Sequence, residues 1–320
     1  MERVLSQNSR QWWMGFSMIW IILFHLWEMK GGLKGYVGIN FFDFFFSKGY
    51  LGVDIFFFLS AYGCACSFDK NSWKRFYKNR ILRLFPIYAI YVYLLVSIYG
   101  HNFSHERWVV FLFQITGLSS LTWSHTHIEW YLPAQILVYA FFPLIYLLSR
   151  ILQQKIKYFF VVILGLSLFA FLIDRVFISD FALRFPIIIF GAITFFIISR
   201  RNEKKILQFY LCGAVIAFLM IRNTTLACSL TIPLLLYSVS GCNMKLPFKK
   251  QISFIGKHSL EIYLAQNLAL DHFMRYTSVT NIVLKFLLIA LIITTGSFIL
   301  HFVQRYSVKY INKVLSIMCH

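Results

Sequence analysis

Acidic residues are scarce. The chain has 12 Asp and Glu in 320 residues, and charged residues of both signs make up 13% of it. That is too little polar surface to clothe a soluble globule, given 59% hydrophobic residues, 36 phenylalanines and a mean hydropathy of +0.68. The class that accommodates such a composition is an integral membrane protein. Ten-residue segments of alternating hydrophobicity are lacking, which argues against a transmembrane β-barrel. The six cysteines include no CxxC pair, and most lie in or beside apolar runs. They read as small core residues, not as a disulfide frame or a metal site. The first apolar run is followed by no small-residue cleavage site, so it is expected to stay as a helix. No internal repeat is visible, and residues 1–320 read as a single transmembrane domain with no fused soluble domain.

What the chain does have is a series of apolar stretches long enough for an α-helix to cross a bilayer. Ten spans are expected, at about 12–27, 51–68, 84–100, 130–149, 158–173, 181–199, 206–221, 224–240, 259–274 and 282–304. The expected fold is therefore an all-α integral membrane protein, a bundle of about ten transmembrane helices. The stretch WVVFLFQITGL at 108–118 is too short to span and is expected to lie re-entrant or interfacial against protein. With this assignment the N-terminus, 69–83, 150–157, 200–205, 241–257 and the tail carry 22 of the 31 Lys and Arg, and the opposite side carries 8. The excess is expected to leave both termini in the cytoplasm of a multi-pass membrane protein. It also accounts for the net charge of +19 without nucleic acid, because the basic residues sit in short loops between spans.

Few polar groups interrupt the spans, and each is a candidate for chemistry. WWMGFSMIWIILFHLWE, residues 12–28, carries His25 in its outer half, where an ionisable group is costly unless it faces a polar cavity. An imidazole titrates near neutrality and suits a general base or an acyl acceptor; a histidine reaching for interfacial water is the plainer reading. Glu28, one helical turn on, is placed to orient the ring. Asp54 in GYLGVDIFFFLSAYG, residues 49–63, is either a helix cap or a buried carboxylate that needs His25 or a basic side chain as partner. In FYKNRILRLFPIYAI, residues 76–90, Arg80 and Arg83 share a helix face, and paired guanidiniums suit phosphate or pyrophosphate. Pro86 is expected to bend or break the helix just beyond them. His125, His127, Glu129 and Trp130 crowd the start of the 130–149 span, but their spacing is not a zinc pattern and no metal is expected. Aromatic and polar groups there suit a sugar hydroxyl acceptor or an interfacial belt, and Arg184 beside Pro186 sits at the same outer level.

In this order the pieces resemble the membrane-bound acyltransferase-3 family, and the resemblance covers nearly the whole chain. The elements are ILFH ending in His25, the GYLGVDIFFFLSAYG block, NRILRLFP with Arg80 and Arg83, and Trp130, Leu132, Tyr139 and Pro143 in W-x-L-x6-Y-x3-P. RFPIIIFG and GKHSLEIYLAQ complete the series. The sequence departs from the family pattern at Met14, where a basic residue is usual and Arg10 stands one turn earlier. It departs also at Gln135, where a glutamate is common, and at Gln266, where a histidine is frequent. The resemblance implies a ten-helix enzyme that takes an acyl group from cytoplasmic acyl-CoA, most simply acetyl-CoA as co-substrate, with no metal. The acceptor it implies is a cell-surface polysaccharide or lipid-linked oligosaccharide at the outer face, where such proteins often O-acetylate glycans. His25 would act as base or acyl acceptor, oriented by Asp54 or Glu28. Arg80 and Arg83 would hold CoA phosphates, and Glu129, Trp130, Tyr139 and Arg184 would line the acceptor side. A glycan exporter or flippase on the same fold is the alternative. Membrane lipid is the expected surrounding, nucleic acid is not a partner, and a homodimer stays open.

Overall fold

The computed structural model describes residues 5–29, 40–99, 107–120, 130–176, 180–199, 203–241, 248–276 and 282–318. Its helices are α1 (Gln7–Met29), α2 (Asn40–Ser47), α3 (Leu51–Lys70), α4 (Trp73–Tyr99), α5 (Arg107–Thr116), α6 (Tyr131–Ala140) and α7 (Phe142–Leu152). They continue with α8 (Ile156–Val176), α9 (Asp180–Ser199), α10 (Glu203–Leu219), α11 (Thr224–Gly241), α12 (Lys249–Lys257), α13 (Ser259–Tyr276) and α14 (Ile282–Met318). Each of the ten expected spans falls on helix, and the described residues contain no strand. Among the described residues, four helical stretches are long and apolar enough to cross a membrane: α3, Trp73–Ser97 of α4, Phe181–Ser199 of α9 and Leu287–Val314 of α14. The bent pair α6–α7 makes a fifth, and the apolar parts of α8, α10 and α11 are shorter. The chain is an all-α membrane protein.

Burial sorts these helices. The apolar window of α9 is 78% buried and that of α3 67%, whereas that of α14 is 17% buried. Helices apolar all round belong either inside a bundle or against lipid. So α3 and α9, which pack along each other, form the centre, and α14 lies at the rim of the bundle. The short α5 packs on α4 and α6; buried Tyr88 of α4 donates to Gln114 Oε1 at 3.0 Å. At ten residues α5 is about 15 Å long, which matches a segment held against protein without crossing. Four cysteines, Cys64, Cys66, Cys212 and Cys228, are free thiols, and Cys64 is fully buried.

Two local features differ from expectation. The 130–149 span is two helices, α6 and α7, meeting at 70°. Phe141 sits between them at φ −91°, ψ 6°, and Pro143 occupies the first turn of α7. Proline suits a first turn, where its missing N–H costs nothing, but it cannot continue the preceding helix. Pro86, by contrast, neither breaks nor ends α4, which runs through it from Trp73 to Tyr99. Its missing N–H would leave the Leu82 carbonyl, four residues back, without its helical donor. The Gln304 side-chain amide of α14 donates to that carbonyl at 2.7 Å and to the Arg83 carbonyl at 3.0 Å. Replacing Gln304 by Leu leaves a bare carbonyl at the proline and is expected to destabilise the protein by about 1–3 kcal/mol. A denaturation series in detergent measures it.

The tightest crossing joins α1 to the short basic helix α12. A Cβ on Gly15 would overlap the Ile252 carbonyl, and one on Gly256 would overlap the Gln11 carbonyl. Only glycine on both sides lets the two backbones touch. The crossing anchors the Arg10 end of α1, the helix that carries His25 at its other end.

Candidate active site

At the basic end of the bundle, α1, α3, α4, α6 and the start of α13 enclose a cavity of about 230 Å³. Arg10, Arg80 and Arg83 bring three guanidiniums to its wall. Arg80 and Arg83 arrive together because they are one turn apart on α4. Arg80 donates to the Gly63 carbonyl at 3.3 Å and stacks over Phe76 and Tyr139, each 5.5 Å away, so its charge is held in a fixed direction. Arg10 lies over Tyr62 at 5.5 Å. Met14 lines the same wall one turn further along α1, so Arg10 supplies a cationic group close to the position where Met14 has none.

Gln135 of α6 also lines this cavity and is 2% exposed. Neither its Oε1 nor its Nε2 has a hydrogen-bond partner among the described residues. A buried primary amide with donor and acceptor both open is costly in an apolar wall. Its placement suits a ligand that brings amide groups of its own. The far wall is aromatic: Tyr131 lies 5.3 Å from Tyr263 and 5.1 Å from Phe57.

Beyond that wall lies a second cluster. Asp54 is fully buried and is the ion-pair partner of Arg184, with Nε 3.4 Å from Oδ1. Ser229 of α11 donates to the same carboxylate oxygen at 2.9 Å. The Arg184 guanidinium stacks on the Trp130 ring at 4.6 Å, a short cation–π distance. Four stretches of chain thus meet at one charge pair, and the buried carboxylate has the basic partner it requires. Asp54 makes no cap at the start of α3.

His25 forms a third group. Its Nδ1 is 3.5 Å from Glu28 Oε2, and it tilts against Phe24 at 5.2 Å. Hydrogen bonding with His25 holds the Glu28 carboxyl below the ordinary carboxylate range. Of the two carboxylates expected to orient the imidazole, Glu28 is the one in contact. Fifteen residues separate His25 from Arg10 on one helix, about 22 Å along its axis. The imidazole and the guanidinium cluster therefore lie at opposite ends of α1.

The groups expected at the acceptor side divide. Trp130 and Arg184 are together, Tyr139 sits under Arg80 at the basic cavity, and Glu129 lies outside the described residues, as do His125 and His127. Tyr139 follows Trp130 by nine residues, about 13 Å of helix, and this carries it from one cluster to the other. Ser229 and Gln304 gave no signal in the sequence. Both are ordinary residues of apolar helices whose partners are remote in the chain.

The sequence matches a family model described as an acyltransferase domain over residues 12–302. No curated protein and no solved structure matches it. The match takes in His25, Arg80 and Arg83, and the Asp54–Arg184 pair, and the chain belongs to the acyltransferase-3 family of membrane acyltransferases.

Proposed function

We propose that this acyltransferase moves an acetyl group from cytoplasmic acetyl-CoA to a hydroxyl of an exported polysaccharide or its lipid-linked precursor at the other face of a bacterial plasma membrane. The observation that carries the donor side is the cavity with Arg10, Arg80 and Arg83 on its wall and the open Gln135 amide inside it. Guanidinium groups match phosphate oxygens, and CoA offers a pyrophosphate and a 3′-phosphate. Its pantetheine arm carries amides that would pair with Gln135. The basic end faces the cytoplasm in this reading, in keeping with the positive-inside bias.

The acceptor reacts at the His25 end. His25 takes the proton of the acceptor hydroxyl as that oxygen attacks the thioester carbonyl. The C–S bond then breaks, and the thiolate of CoA receives a proton. In the covalent variant His25 itself takes the acyl group first and hands it to the hydroxyl. Glu28 holds the ring in either case. Trp130 offers an aromatic face to a sugar ring, while Arg184, already paired with Asp54, fixes that face.

The test is thiol release from acetyl-CoA by the purified protein with glycan acceptor. Wild type is expected to release CoA over repeated turnovers only when acceptor is present. Arg80→Ala or Arg83→Ala should raise the KM for acetyl-CoA about 10- to 100-fold, the loss of one charged hydrogen bond in each case. A KM unchanged in both variants would remove the donor site from this cavity.

A further inference from the structure

No metal is expected from the spacing of histidines in the sequence, yet the fold gathers three ligand side chains that belong to none of the arginine, Asp54 and His25 clusters. His258 stands at the corner between α12 and α13, Glu261 lies one turn later on α13, and His301 comes from α14. Glu261 Oε1 is 3.3 Å from His301 Nδ1 and 4.0 Å from His258 Nδ1. The two imidazoles meet edge to face at 4.7 Å, and one ligand atom from each of the three residues falls within 4.8 Å of the others. Glu261 is 8% exposed. Phe254 packs on His258 at 4.7 Å, and Phe302 lies 6.5 Å from His301, so the cluster has an apolar wall on both sides.

A hydrogen-bonded His–Glu pair would need one histidine. Here two imidazoles converge on one oxygen of a nearly buried carboxylate. We propose that His258, Glu261 and His301 form a zinc-class divalent-metal site that clamps α14 to the α12–α13 corner. Two imidazole nitrogens and one carboxylate are a zinc ligand set that leaves a fourth position for water. In a tetrahedral zinc site the ligand atoms lie about 3.4 Å apart. The Glu261–His301 pair at 3.3 Å already meets this separation, the His258–Glu261 pair at 4.0 Å has to close by about 0.6 Å, and no pair has to close by more than about 1.4 Å. Binding uses neutral imidazoles and releases any proton they carry.

The clamp sits beside the basic cavity. Ser259 and Tyr263, which flank Glu261 on α13, line that cavity. His301 is one turn before Gln304, whose amide holds the Leu82 and Arg83 carbonyls. A metal at His301 therefore fixes α14 in the register at which it supports Arg83. Metal binding itself is independent of the proposed acetyl transfer.

The experiment uses the full chain in detergent, stripped with chelator, desalted and given zinc chloride alone. Zinc per chain is measured by elemental analysis after a second desalting, with His258→Ala/His301→Ala and His25→Ala as the comparison variants. The expected result is one zinc per chain in wild type and His25→Ala, and background in the double variant at unchanged helical circular dichroism. Cobalt(II) should give a visible spectrum of tetrahedral intensity in wild type and not in the double variant, and zinc should raise the melting midpoint of wild type but not of His301→Ala. Equal zinc in wild type and double variant overturns the assignment, as does zinc lost on desalting in both. Should the double variant fail to fold, Glu261→Gln with His301→Gln carries the same comparison.

Discussion

Arg184→Leu is expected to destabilise the protein by about 3–5 kcal/mol, more than the loss of the Gln304 amide should cost. The Asp54 and Arg184 side chains are 0% and 3% exposed, and their ion pair stands among apolar helices. Losing the guanidinium leaves a carboxylate in that wall with the neutral Ser229 hydroxyl as a donor. Burying such a charge costs far more than the pair contributes by existing. Asp54→Asn should destabilise as well, because the buried Arg184 guanidinium then loses its carboxylate, although the new amide oxygen still accepts from Ser229. The double variant Asp54→Asn/Arg184→Leu should recover most of the loss, since it buries no ion. Chemical denaturation of the two single variants and the double variant in one detergent gives the coupling directly. Strict additivity would show that the pair does not act as a unit.

The largest functional effect is expected at His25. His25→Ala should lower acyl transfer by about 10²- to 10⁴-fold, the usual contribution of a general acid–base group, or abolish it if the imidazole carries the acyl group. Acetyl-CoA binding should be unaffected, because Arg80 and Arg83 lie at the opposite end of the bundle from this imidazole. The direct readout is proton NMR of the surface polysaccharide from a deletion strain complemented with wild type or His25→Ala. Acetyl signals restored by wild type alone would establish the role and identify the acceptor hydroxyl in the same spectrum. Unchanged acetylation with less glycan at the surface would instead point to an exporter. Glu28→Gln should fall between wild type and His25→Ala, since it keeps a hydrogen-bonding side chain but loses the carboxylate charge.

Local pattern carried much of this molecule. Apolar runs placed helices at every expected span, and the brevity of 108–118 foretold the ten-residue α5. Helical spacing paired His25 with Glu28 and put Arg80 beside Arg83. What escaped the sequence depends on contacts between distant parts of the chain. Asp54 required a basic or imidazole partner, but only the packing of α3 against α9 selects Arg184 over His25. Tyr139 carries no mark of its place beneath Arg80, because that place depends on how α6 stands against α4. Pro86 looked like a break because propensity sees a missing donor and cannot see an amide arriving from residue 304. The His258, Glu261 and His301 cluster was hidden for the same reason: two of its members are one turn apart, and the third is forty residues on.

The Gln304 amide also bears on where the protein can be cut. The family match ends at residue 302, and a chain trimmed there would keep nearly every expected span and more than half of α14. It would lose the amide that occupies the carbonyl opened by Pro86, on the turn that presents Arg83. For anyone choosing end points for expression, the mechanical boundary of this enzyme therefore lies beyond its family boundary, and a tag or truncation should leave residue 304 and the helical turn after it intact.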